Sequence, residues 1–98
     1  MTAIDFDYLY DEQEQTTTRF VSFIGKQLHR YDLAITTTNH FYGKHLVTDI
    51  QSGKTAIIGA DDLEEDGYLS YTYKISEEEA EELKMFLVEV VGIVNFTD

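Results

Sequence analysis

The chain contains no cysteine. Disulfide frameworks, zinc ribbons and thiol chemistry are therefore closed to it, and such a chain fits a reducing cytoplasm. It contains no proline, so no slow prolyl isomerisation is expected in folding. Positive charge is scarce: 7 Lys and Arg stand against 19 Asp and Glu, a formal net charge of −12. That excess repels nucleic-acid phosphates and anionic lipid heads, and it favours cationic partners. The opening residues Met1-Thr2-Ala3-Ile4-Asp5 have neither the basic stretch nor the apolar run of a secretory signal. No apolar run has the length that spans a bilayer. These absences predict a cytoplasmic protein that engages neither membrane nor nucleic acid.

What is present suffices for a folded domain. Ninety-eight residues make one domain, 1–98. An apolar content of 43% and an aromatic content of 13% supply a core, which excludes wholesale disorder despite the charge.

Apolar periodicity predicts mostly strands. Residues 4–10 place Ile4, Phe6, Tyr8 and Tyr10 on one side of a strand. Residues 17–25 are rich in β-formers, with Phe20 and Ile24 on one face and Val21 and Phe23 on the other. Apolar groups on both faces suggest a strand covered on both sides, or one near a partner. Residues 31–38 set Tyr31, Leu33 and Ile35 against Asp32, Ala34 and Thr36. Residues 46–50 and 55–59 flank Gln51-Ser52-Gly53-Lys54, where Gly53 tolerates the positive φ of a hairpin turn. Residues 68–75 place Leu69, Tyr71, Tyr73 and Ile75 on one face, the pattern of a half-buried strand.

One long helix is expected at the end. Ser76 followed by Glu79 forms a capping box, and Glu77, Glu78 and Glu79 suit the positive end of a helix. Ala80, Leu83, Leu87, Val90, Val91 and Val94 fall within about 100° of arc, and Phe86 and Ile93 widen the stripe to about 160°. Gly92 offers a C-cap. The expected fold is α+β: an antiparallel sheet of five or six strands with one C-terminal helix on a face.

Few constellations carry chemistry. Asp62-Leu63-Glu64-Glu65-Asp66-Gly67 imitates the first half of a calcium loop, but position 12 is Tyr73 where a bidentate Glu is required. A single helical turn with Asp61 as N-cap and Glu64 at N3 accounts for it. His40, Tyr42, Lys44 and His45 form a candidate ligand loop. On an extended strand His45 and Asp49 would lie about 13 Å apart, too far to share one metal. The threonine runs 16–18 and 36–38 read as solvent-facing strand positions. No nucleophile elbow or phosphate loop is present, and no catalytic, metal or cofactor residues are assigned.

Arg30-Tyr31-Asp32-Leu33-Ala34-Ile35-Thr36-Thr37-Thr38, His40-Phe41-Tyr42-Gly43-Lys44 and Ile57-Ile58-Gly59-Ala60-Asp61-Asp62-Leu63 carry a resemblance. Over about residues 5–90 the chain resembles a family of short, acidic, uncharacterised proteins of Gram-positive bacteria, a domain of unknown function. The resemblance implies a cytosolic bacterial protein and no particular activity, cofactor or site residues.

Small size, missing catalytic motifs and surplus apolar surface point to a non-enzymatic protein-interaction module. The wide helix stripe suggests a homodimer with Leu83, Phe86, Val90, Ile93 and Phe96 at the contact. The alternatives are a small-molecule-binding domain or weak enzyme using the His40–His45 loop, and an acidic mimic of nucleic acid.

Overall fold

The computed structural model describes residues 5–92. Four strands, β1 (Thr17–Ile24), β2 (Arg30–Thr37), β3 (His45–Asp49) and β4 (Lys54–Ile58), form one antiparallel sheet in the order β1-β2-β3-β4. Three helices follow: α1 (Ala60–Leu63), α2 (Tyr68–Tyr73) and α3 (Glu77–Val91). Their buried side chains share one core with one face of the sheet.

The β2 alternation works as the sequence predicts. Tyr31, Leu33 and Ile35 are buried, and register sets Tyr31 beside Phe23, Leu33 beside Val21 and Ile35 beside Val47. Leu63, Leu69, Tyr73, Leu83 and Leu87 close over them from the helices. The hairpin turn at Gly53 is present, with φ +80° and its N–H donating to the Asp49 carbonyl at 2.7 Å. Gly92, at φ +83°, ends α3. The capping box is complete: Ser76 Oγ accepts from Glu79 N–H, and Glu79 Oε1 accepts from Ser76 N–H, both at 3.0 Å.

Four expectations are corrected. Among the described residues the sheet has four strands, not five or six. Residues 5–10 form no strand and are exposed, because no neighbour offers them a ladder of hydrogen bonds; Ile4 lies outside the described residues. Residues 68–73 are helix α2 rather than strand. Leu69 and Tyr73 are four apart, which puts them on one face in a strand and in a helix alike. Tertiary contacts choose the helix: Tyr73 is buried with its hydroxyl donating to the Val47 carbonyl at 2.7 Å, while Tyr71, two residues before it, is 77% exposed. The turn expected from Asp61 begins earlier, at Gly59, whose N–H donates to Asp62 Oδ2 at 2.8 Å.

Candidate interaction surface

The loop after β2 is tied to the segment before β1. Glu14 Oε2 accepts from Thr38 Oγ1 at 2.7 Å and from the Asn39 N–H at 3.1 Å, while Glu14 Oε1 lies 2.6 Å from His40 Nδ1. These donors, Thr38 first, hold the Glu14 carboxyl down at about 2. The same Glu14 contact raises the pKa of His40, and Glu12 stands 3.6 Å from its Nε2. Because Thr17 pairs with Thr37, Glu14 opposite His40 continues the β1–β2 register in line with β1.

The other loop residues go separate ways. Lys44 Nζ lies 3.1 Å from Asp62 and 3.6 Å from Asp61, binding the loop to α1; Asp62 is the main cause of its raised pKa. Tyr42 sits fully exposed in the left-handed region, at φ +56°. His45 is half-buried on β3, opposite Ile58, and its Nδ1 has no hydrogen-bond partner among the described residues. The four side chains thus meet different neighbours and form no common site. Among the described residues no group of His, Asp and Glu is placed to hold a metal ion.

Of the helix residues expected at an interface, Leu83, Phe86 and Val90 pack within the chain. Leu83 is buried. Phe86 packs on the Phe23 ring, 4.7 Å between centroids, with the Arg19 guanidinium 5.9 Å above it. Val90 is half-buried against the core. Ile93 and Phe96 lie outside the described residues.

The exposed apolar groups lie elsewhere. Phe6, Tyr8, Leu9 and Tyr10 stand out on the arm that precedes β1, each at least 69% exposed. Phe20 and Ile24 of β1 and Ile57 of β4 are exposed on the sheet face that carries no helix. That face is low in charge for a −12 chain. Thr18 with Thr36 and Thr48 with Thr55 pair their hydroxyls across it, at 2.8 and 2.7 Å. Its charges, Arg30 and Asp32, neutralise each other at 3.0 Å, and Asp32 also accepts from Ser22 and from Gln51 Nε2. Sequence reasoning found the two apolar faces of β1 but assigned the arm to a strand; aromatics alternating with carboxylates were the available signal.

Two clefts carry several carboxylates in their walls. One of about 330 Å³ lies between the α1–α2 connection and α3, beside Glu65, Asp66, Glu77, Glu81 and Lys84. Another of about 280 Å³ lies between the β1–β2 turn and α3, at Lys26, Glu78, Glu82 and Met85. No helix of the described residues is long and apolar enough to cross a membrane.

No protein of curated function matches the chain. The model of the SAV0927-like family matches residues 9–89, from the arm through most of α3. The chain belongs to the SAV0927-like family.

Proposed function

We propose that this protein is a non-enzymatic protein-interaction module of the bacterial cytoplasm, working through its N-terminal arm and the open side of its sheet. The observation that carries the reading is the arm. Phe6, Tyr8, Leu9 and Tyr10 are exposed together in a chain whose charge would otherwise keep its surface wet. Soluble domains rarely expose apolar groups so close together without a partner to cover them. Aromatic side chains are also the groups that carry most binding energy at protein interfaces. The polar groups of the His40 loop support the same reading, because Glu14 and Asp62 occupy His40 and Lys44 in holding the arm and α1.

The test is capture from native cytosol with the wild-type chain and with a variant carrying Phe6→Ser, Tyr8→Ser and Tyr10→Ser. Proteins retained by the first and lost by the second are expected. An identical set of captured proteins from both baits would overturn the assignment of the arm as the binding element.

A further inference from the structure

We propose that the N-terminal arm mimics a single strand of nucleic acid, and that its partner is a protein whose cationic, aromatic-lined groove takes such strands. This partner deepens the interaction reading above and depends on it.

The arm alternates charge and ring. Residues 5–8 run without helix, turn or bend, and the first bend comes at Leu9. In an extended chain successive side chains point to opposite sides. Phe6 and Tyr8 accordingly share a side, with their ring centroids 6.4 Å apart. Alternation puts Asp5 and Asp7 on the other side, also two residues apart, a step of about 6.4–6.8 Å. A single strand has the same build. Its charges follow one another along one side and its flat rings along the other, at a comparable step once the bases are unstacked. Past the bend, Tyr10 supplies a third ring and Asp11 a third carboxylate.

These groups are available to a partner. Asp5, Asp7 and Asp11 are exposed and make no ion pair among the described residues. His40 instead engages Glu12 and Glu14 at the root of the arm. Phe6, Tyr8 and Tyr10 are each at least 69% exposed. No Lys, Arg or His interrupts residues 5–14.

The same pattern selects the kind of groove. Proteins that hold single strands without sequence preference combine a positive groove with aromatic side chains on which flat rings stack. Such a groove supplies cations for the carboxylates and ring faces for Phe6, Tyr8 and Tyr10. A purely apolar groove would strip water from Asp5 and Asp7 without compensation. A helix-binding groove reads apolar groups at i, i+3, i+4 and i+7, whereas the three rings repeat at every second residue. Ten residues reach at most about 33–36 Å, which suits the shorter of these sites, about four nucleotides long. The net charge of −12 steers the chain towards a cationic groove and away from nucleic acid itself.

The test has two steps and uses the full chain. Bacterial cytosol freed of nucleic acid is bound to immobilised oligo(dT) and, separately, to oligo(U), and the chain is used to elute. Release of single-strand-binding proteins is expected, from oligo(dT) where the groove takes DNA and from oligo(U) where it takes RNA. A released protein is then purified, and displacement of the same oligonucleotide, labelled, is followed by fluorescence anisotropy. Asp5→Asn with Asp7→Asn and Asp11→Asn keeps the rings, while Phe6→Ser with Tyr8→Ser and Tyr10→Ser keeps the carboxylates. Each set is expected to displace at least about tenfold less well with unchanged circular dichroism, since charge and stacking both contribute. Glu64→Gln with Glu65→Gln and Asp66→Asn removes the same charge from another exposed stretch and is expected to act as wild type. A wild-type chain that releases nothing from either matrix overturns the mimicry, while arm-dependent capture of another protein leaves the interaction reading standing. Equal losses from the Glu64 and Asp5 sets reduce the effect to bulk charge and overturn it as well. So does displacement that the Phe6 set leaves unchanged.

Discussion

Glu82 of α3 accepts a hydrogen bond from the hydroxyl of Tyr31 on β2 at 2.8 Å. Its second oxygen accepts from the Lys26 N–H at 2.6 Å, so one carboxylate joins helix, sheet and the β1–β2 turn. The Tyr31 hydroxyl also lies 3.0 Å from the Glu79 carbonyl. These donors, Tyr31 first, lower the Glu82 pKa, and burial is the main cause that raises that of Tyr31. Tyr31→Phe should destabilise the fold by about 0.5–1.5 kcal/mol, the net worth of a hydrogen bond in water. Denaturant midpoints would measure it. An unchanged midpoint would show that the Glu82 contact holds nothing.

Gly25 is the complement of that carboxylate. A Cβ on Gly25 would stand 2.2 Å from Glu82 Oε1, a separation that forces the side chain away. Gly25→Ala is expected to destabilise by about 1–3 kcal/mol, as overpacking does. The double variant Gly25→Ala with Glu82→Ala should lose less than the sum of the two single changes, because the clash is gone. Simple additivity in a denaturation cycle would remove Glu82 as the cause.

The change from strand to helix at 68–73 gives a contrast within one peptide. A strand would place Tyr71 and Tyr73 on the same face, with similar costs of replacement. In α2, Tyr73 is buried with its hydroxyl on the Val47 carbonyl, while Tyr71 is exposed beneath the Lys74 ammonium, 4.9 Å away. Tyr73→Phe should cost about 0.5–1.5 kcal/mol, the net worth of the lost hydrogen bond. Tyr71→Phe should stay within about 0.5 kcal/mol. Equal losses would contradict α2.

The N-cap of α3 gives a local prediction. Ser76→Ala should cost about 0.5–2 kcal/mol by leaving the Glu79 amide without its acceptor. Glu79 also lies 3.1 Å from His29 Nδ1. Glu79→Gln should therefore keep the cap bond while removing the carboxylate from the His29 contact, and thermal unfolding of the two variants would separate the contributions.

The tie at the root of the arm depends on pH in two opposite ways. Glu14 is depressed from 4.5 to about 2, so its contribution is present above 4.5 and lost as pH falls towards about 2. His40 is raised above 6.5, so its contribution is present below 6.5 and lost as pH rises through the higher folded value. The arm is thus held most firmly between about 4.5 and 6.5. Amide exchange at Asn39, whose N–H Glu14 accepts, should be slowest there once the intrinsic pH dependence of exchange is divided out. Protection that stays flat from pH 5 to pH 9, or His40→Ala with wild-type protection, would remove His40 from the tie.

The features legible along the chain are those whose parts lie within a few residues of one another. The Ser76–Glu79 box marks the start of α3 because cap and capped amide are three positions apart. Gly53 marks a hairpin because the turn needs a positive φ there. Tyr31, Leu33 and Ile35 name their own face because alternation is a local property of a strand. The rest depends on contacts made between distant segments in the fold. Leu69 and Tyr73 fit two periods, and the Val47 carbonyl, 26 residues away, selects one. The aromatic arm reads as a strand until the sheet is seen, among the described residues, to end at β1. The Phe86 flank of the helix stripe packs on Phe23 of β1, a contact no spacing along the helix shows. Glu14 meets His40 across 26 residues and Glu82 meets Tyr31 across 51. Such pairings arise from how strands and helices come together, and no spacing along the chain announces them.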